Sequence, residues 1–282
     1  MTFALLRASI TAASVAFLRA CAGKPDTLAR IFFPGPARLL LTAAPITLPA
    51  MRWLLPGLYE YIHARTLLFD VLFTQALAAA VAQIVLLGAG YDTRAYRFAA
   101  QLGATRVFEL DAPATQARKR RCLARASVAI PAGVQFIPCA LGVDDLAGAL
   151  AAAGFDAAQQ SLFLWEGVTM YLTAADVGAT LTFVGRCAPG SAVAFDYVHP
   201  AVVGRQGTQY GAQEVVRAVR WLGEPYRFGM ERVQLEALLA ASGLRLRVHY
   251  TPAELQRIFL PNLKGRMAAY CYNVAAEVAS EE

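Results

Sequence analysis

The sequence predicts an α/β fold, with a mostly parallel sheet finished by an antiparallel edge strand. Three observations carry this expectation. From residue 67 onward, short apolar runs alternate with alanine-rich or amphipathic segments, the pattern of strands joined by helices. The first apolar run ends in Gly88-Ala89-Gly90, a strand-to-helix turn without bulky side chains. Near the C-terminus, Leu244–Tyr250 reads Leu, Arg, Leu, Arg, Val, His, Tyr, an alternation that suits an edge strand with one wet face.

Taken in chain order, the N-terminal 23 residues resemble a secretory signal ending in Leu18-Arg19-Ala20-Cys21. Arg19 falls where the cleavage region should be small and apolar, so an amphipathic helix is the better reading. Residues 43–61 are interrupted by Pro45, Pro49, Arg52 and Pro56, which fits a surface-hugging lid better than a membrane span. Between Asp70 and Asp92 the chain is long enough to cross a bilayer, but it changes character midway. Residues 71–82 read as helix and residues 84–87 as a buried strand. Further strands are expected at 106–110, Val134–Pro138, Ser161–Trp165 and 192–197, separated by helices over 93–102, 114–126, 146–153 and 174–186. A last helix over 230–241 precedes the edge strand. No repeat or long linker appears, so residues 1–282 read as one domain: a helical extension and lid over 1–66 and an α/β core over 67–282.

Composition narrows the function. Hydrophobic residues make up 57% of the 282 and charged residues 16%, which excludes a disordered chain. The net charge is +6 with only three lysines, so the positive charge is nearly all arginine, suited to pairing with carboxylates and phosphates. The one dense cluster, Arg118 to Arg121, reads as a solvated helix face rather than a nucleic-acid site. Five dispersed cysteines without CxxC spacing, and three separated histidines, argue against a disulfide framework and against a metal site. These features predict a reducing, cytoplasmic setting, no metal, no nucleic-acid partner and no integral membrane span.

The chemistry begins at Leu86 to Phe98, LLGAGYDTRAYRF. Gly88 and Gly90 let a ligand approach the turn and the N–H groups that follow it. A dinucleotide fingerprint would carry a third glycine where Thr93 and Arg94 stand, so a smaller nucleoside ligand without a pyrophosphate is favoured. Arg106 to Pro113, RVFELDAP, delivers Glu109 and Asp111 at a strand end, Asp111 lying 23 residues after Gly88. An acid at that place can accept hydrogen bonds from ribose hydroxyls. The run LFLWEGVTMYL (residues 162–172) places Glu166 at the next strand's carboxyl end, where it could hold an ammonium group or simply pair with an arginine.

Together these motifs resemble the leucine carboxyl methyltransferase family, in its bacterial branch of S-adenosylmethionine-dependent O-methyltransferases. The resemblance extends to HARTLLFD (residues 63–70), VAFDYV (193–198) and GEPYRFGM (223–230). It implies a Rossmann-like class I methyltransferase sheet, S-adenosyl-L-methionine as cofactor and a small-molecule acceptor. By the same resemblance, Arg65 neutralises the methionine carboxylate, and Gly88, Ala89, Gly90 and Asp92 line the methionine portion. Asp111 binds the ribose, and Glu166 contacts the amino group or the ribose side. The family usually places an Asp-Leu pair beside the adenine. Ala140-Leu141 stands here instead, so the adenine amine loses an acceptor unless Asp144 or a backbone carbonyl replaces it.

An ionised carboxylate acceptor needs no catalytic base, whereas a hydroxyl does. His199, just beyond the strand 192–197, is the expected base, with Tyr171 and Tyr197 as orienting groups. The apolar segment 40–61 is expected to cap a hydrophobic acceptor. Alternatives are a binder of the cofactor that has lost catalysis, a protein C-terminal carboxyl methyltransferase, and a membrane-peripheral protein.

Overall fold

A computed structural model describes residues 10–21, 26–33 and 44–279. Its centre is a seven-stranded sheet: β1 Gln83–Leu87, β2 Arg106–Asp111, β3 Val134–Pro138, β4 Ser161–Trp165, β5 Ala192–Val198, β6 Leu244–Tyr250 and β7 Cys271–Val278. The spatial order is β3-β2-β1-β4-β5-β7-β6. The first five strands pair in parallel, while β7 runs antiparallel to both β5 and β6.

The central strands are apolar on both faces because both are covered. On β1, Ile84 and Leu86 pack on one side of the sheet, and Val85 and Leu87 pack on the other. This period of two explains why the strand reads as an unbroken apolar run. The helix Leu58–Ala78 covers the first side and buries Tyr61, Ile62, Phe69 and Phe73. Helices Ala174–Gly185 and Arg232–Ala241 cover the second, each opened by a capping box at Thr173 and Glu231 respectively, which satisfies orphan N–H groups.

The expected strands are present, and Leu244–Tyr250 is the edge strand with an antiparallel partner. Its exposed Arg245 and Arg247 both pair with Glu277 across the ladder. The reversed strand itself, β7, was not anticipated. Its Asn273, Ala275 and Ala276 dilute the β-branched and aromatic signal by which strands are recognised.

Two helix expectations need correction. The helix expected over 71–82 begins at Leu58 and ends at Ala78, so part of the expected lid belongs to the core. The segment before it is a helix, Ala44–Leu54, that tolerates Pro49 inside and leaves Trp53 and Leu54 exposed. Residues 40–43 of the lid lie outside the described residues. The helix expected over 93–102 shrinks to Arg94–Arg97 and a 3-10 turn, Ala99–Gln101. Arg94 turns its side chain into buried ion pairs there instead of continuing a solvated helix. The N-terminal helix, Ile10–Cys21, packs Ala16 and Ala20 with Phe32, Tyr91 and Leu123. Among the described residues no helix is long and apolar enough to cross a membrane.

Candidate functional site

Strand order reverses between β1 and β4, and a crevice opens at such a reversal, beyond the carboxyl ends of the strands. A cavity of about 550 Å³ lies there, within the size range of small-molecule and cofactor pockets. Four strand ends contribute to it. β1 supplies Gly88, Ala89 and Gly90, and β2 supplies Asp111. β3 leads to Ala140 and Leu141, and β4 leads to Glu166 and Gly167. The N-terminal helix forms a further wall with Ala12, Val15 and Arg19.

The glycine turn is required by geometry. Gly88 has φ +66°, and a Cβ there would fall 2.6 Å from Val168 Cγ2. Any side chain would therefore be strained and would also clash. Asp111 is clamped across this turn. One oxygen accepts from Gly90 N, and the other from Ala112 N at 2.6 Å. Burial pushes its carboxyl up to about 6, against those two N–H groups and the nearby Lys119 charge.

Under the crevice, charges alternate. Arg94 is fully buried and reaches Asp70 at 2.8 Å, Asp92 at 2.5 Å and Glu166 at 2.8 Å. Arg65 pairs through Nε with Glu166 at 3.0 Å and through Nη1 with Asp196 at 2.7 Å. Asp196 also accepts from Tyr61 Oη at 3.0 Å and from Gly167 N at 2.6 Å. Burial alone would raise Asp92, but Arg94, with Arg19 and Lys119, holds its carboxyl down at about 2. Glu166 likewise stays below the usual range despite burial, because Arg94 and Arg65 flank it. Both carboxylates therefore stay ionised at neutral pH.

All nine sequence-predicted cofactor residues line this one cavity: Arg65, Gly88, Ala89, Gly90, Asp92, Asp111, Ala140, Leu141 and Glu166. Glu166 is already held by two arginines, so the pairing alternative raised by the sequence describes its present contacts. Asp144, the substitute acceptor for adenine, is engaged by Ala140 N at 2.8 Å. Tyr171 lines the cavity at the end of the turn Thr169–Tyr171 and packs edge-on against Tyr226, ring centroids 5.3 Å apart.

His199 is not brought to the cavity. It caps the short helix Pro200–Val203, accepting from Ala201 N at 3.2 Å through Nδ1, and its Nε2 lies 3.2 Å from Glu231. A residue preceding proline takes extended backbone, and His199 there turns its ring to the helix end. Tyr197 likewise points away, its hydroxyl 2.9 Å from His249 Nε2 on the edge strand.

Sequence reading missed Arg94, Asp196 and Arg19. Arg94 figured only as a missing glycine, and its partner Asp70 lies 24 residues away in sequence. Arg19 donates to Tyr91 O at 2.5 Å and pairs with Asp26 at 3.4 Å. An arginine so placed in an apolar N-terminal helix is the one available signal of that docking.

The sequence profile of leucine carboxyl methyltransferases matches residues 12–185. A Bacillus subtilis protein, described as a proposed S-adenosyl-L-methionine-dependent methyltransferase, is 30% identical over 189 residues, covering 67% of this chain and 62% of its own. A Mycolicibacterium gilvum protein of the same description is 42% identical over 137 residues, covering 48% of this chain and 55% of its own. The match thus spans less than two thirds of either relative. A solved structure of a proposed methyltransferase from Thermobifida fusca superposes with a TM-score of 0.64, over 98% of this chain and 96% of its own, at 14% identity. That likeness concerns the fold.

Proposed function

The chain belongs to the leucine carboxyl methyltransferase family. From that premise we propose that it is an S-adenosylmethionine-dependent O-methyltransferase acting on a small, apolar acceptor, with a carboxylate favoured over a hydroxyl. The observation that carries the cofactor reading is the Asp111 clamp. A half-buried acid faces a glycine turn inside one cavity, with its two backbone donors fixing the direction of the remaining lone pairs. Such a carboxylate suits paired ribose hydroxyls, and the open turn suits a ligand without phosphates.

In this reading Asp111 takes the ribose, while Ala140 and Leu141 offer an apolar surface to the adenine. Arg65 and Asp92 serve the charged methionine end, where Glu166 and Asp196 fix the Arg65 guanidinium by two ion pairs. When bound, the cofactor supplies a methyl group on a sulfonium that is already a good leaving group. The chain's task is then alignment and exclusion of water, and alignment alone can lower a barrier by about 7–11 kcal/mol. The N-terminal helix, with Ala12 and Val15 in the cavity wall, acts as part of the lid.

Among the described residues no histidine or lysine lines the cavity. Tyr171 orients the acceptor. Five free thiols suit a reducing cytoplasm. A second reading, binding without turnover, is favoured by Ala140 and by the engagement of Asp144 with Ala140 N.

The test is transfer of a labelled methyl group to paired aromatic carboxylic acids and phenols, after calorimetric proof of S-adenosylhomocysteine binding. Ester formation supports the proposal, and transfer to phenols alone refutes the acceptor class. Binding with no transfer to any acceptor supports the second reading.

A further inference from the structure

Glu109 is not a surface acid, although it stands two residues before the ribose acid. It is 1% exposed, and its Oε2 lies 2.7 Å from the equally buried Lys119 Nζ. Tyr96 Oη donates to its other oxygen at 3.0 Å, and Gln116 Nε2 donates to its carbonyl at 3.1 Å. The Lys119 ammonium also sits 5.4 Å from the Tyr96 ring centroid. Strand alternation puts Glu109 and Asp111 on the same face of β2.

These contacts tie together the two segments that flank the ribose position. Tyr96 belongs to the short helix that follows the glycine turn. Gln116 and Lys119 belong to the helix Pro113–Arg125 that follows Asp111. A buried ion pair contributes little or no net stability compared with apolar residues of the same shape, so the fold by itself gives weak reason to keep one here.

We propose that Glu109 and Lys119 are positioning residues for the cofactor site, holding Asp111 in register with the glycine turn. This rests on the cofactor reading above. The Lys119 charge acts to lower the carboxyls of both Asp111 and Asp92. Gly90 and Ala112 donate to the Asp111 carboxylate and Lys119 from the following helix acts on it, Tyr91 of the turn feels its charge, and Cys139 N donates to its carbonyl at 2.9 Å. Lys119 is paired with Glu109 within the sheet–helix layer, whereas Arg118 lies over the Tyr91 ring.

The experiment is calorimetric titration of S-adenosylhomocysteine from pH 5.5 to 8.5, with melting curves, for the parent, Lys119→Met, Lys119→Met/Glu109→Gln and Lys119→Arg. The double variant leaves no unpaired charge and is the one chosen to keep the fold. We expect both neutral variants to move the acid limb of binding to higher pH. Without the Lys119 charge the Asp111 carboxyl is a weaker acid, so the loss of binding is several-fold near pH 6 and smaller at pH 8.5. Lys119→Arg keeps the parent's limb. A double variant that binds with the parent's affinity and the parent's acid limb would overturn the proposal. Failure of both neutral variants to fold would also overturn it, because the pair would then be a demand of the fold. A parent that binds no S-adenosylhomocysteine refutes the cofactor reading instead.

Discussion

Binding of S-adenosylhomocysteine should weaken as pH falls below about 6, the value to which burial pushes Asp111. In the proposed reading ribose hydroxyls donate to the ionised carboxylate, so protonation removes the acceptor that the site depends on. With half-ionisation near 6, about one Asp111 in eleven is ionised at pH 5, which gives about tenfold weaker binding, or ~1.4 kcal/mol. The stability of the free protein responds to this group in the opposite sense. A carboxyl raised above its unfolded value takes up its proton more readily when folded. Its contribution to stability is therefore present at low pH and is lost as pH rises through about 6. Opposite slopes separate a loss of binding from acid unfolding. Asp111→Asn should weaken binding at pH 7.5 by ~1–3 kcal/mol and abolish the acid limb. Calorimetry at pH 5, 6, 7 and 8 measures both. Constant affinity across that range, or an acid limb that survives in Asp111→Asn, would refute the reasoning.

Arg65→Ala leaves Asp196 buried without its guanidinium and Glu166 with Arg94 alone, so it should cost ~3–5 kcal/mol of stability as well as cofactor binding. Unfolding in urea that matches the parent would contradict this. His199→Ala removes a helix cap and a contact with Glu231, with a cost of ~0.5–2 kcal/mol. Cofactor titration and methyl transfer should be unchanged, and a large loss of turnover would return His199 to the active site. Ala140→Asp adds an acceptor beside the expected adenine position and should tighten S-adenosylhomocysteine binding several-fold, as expected for one net hydrogen bond. Weaker binding would show that the adenine lies elsewhere.

The parallel sheet was legible because its strands are buried on both faces and bounded by helices, which gives unbroken apolar runs such as Ile84 to Leu87. The placement of Asp111 and Glu166 was legible because a strand end followed by an acid is a local pattern. β7 was not legible, since small residues and a buried Asn273 carry little strand signal. The Arg94 and Arg65 networks escaped because, apart from Arg94–Asp92, their ion pairs join residues 24 to 131 positions apart, and spacing along the chain does not encode such encounters. His199 illustrates the opposite error. Its position just past a strand end suggested the crevice, but backbone direction at Pro200 sends the ring to a helix cap.

The most direct test is a crystal structure of the protein soaked with S-adenosylhomocysteine. The predicted result is one ligand in the crevice, its ribose hydroxyls on Asp111 and its methionine portion along Gly88 to Gly90. A ligand bound elsewhere on the protein, or a ribose with no contact to Asp111, would contradict the account.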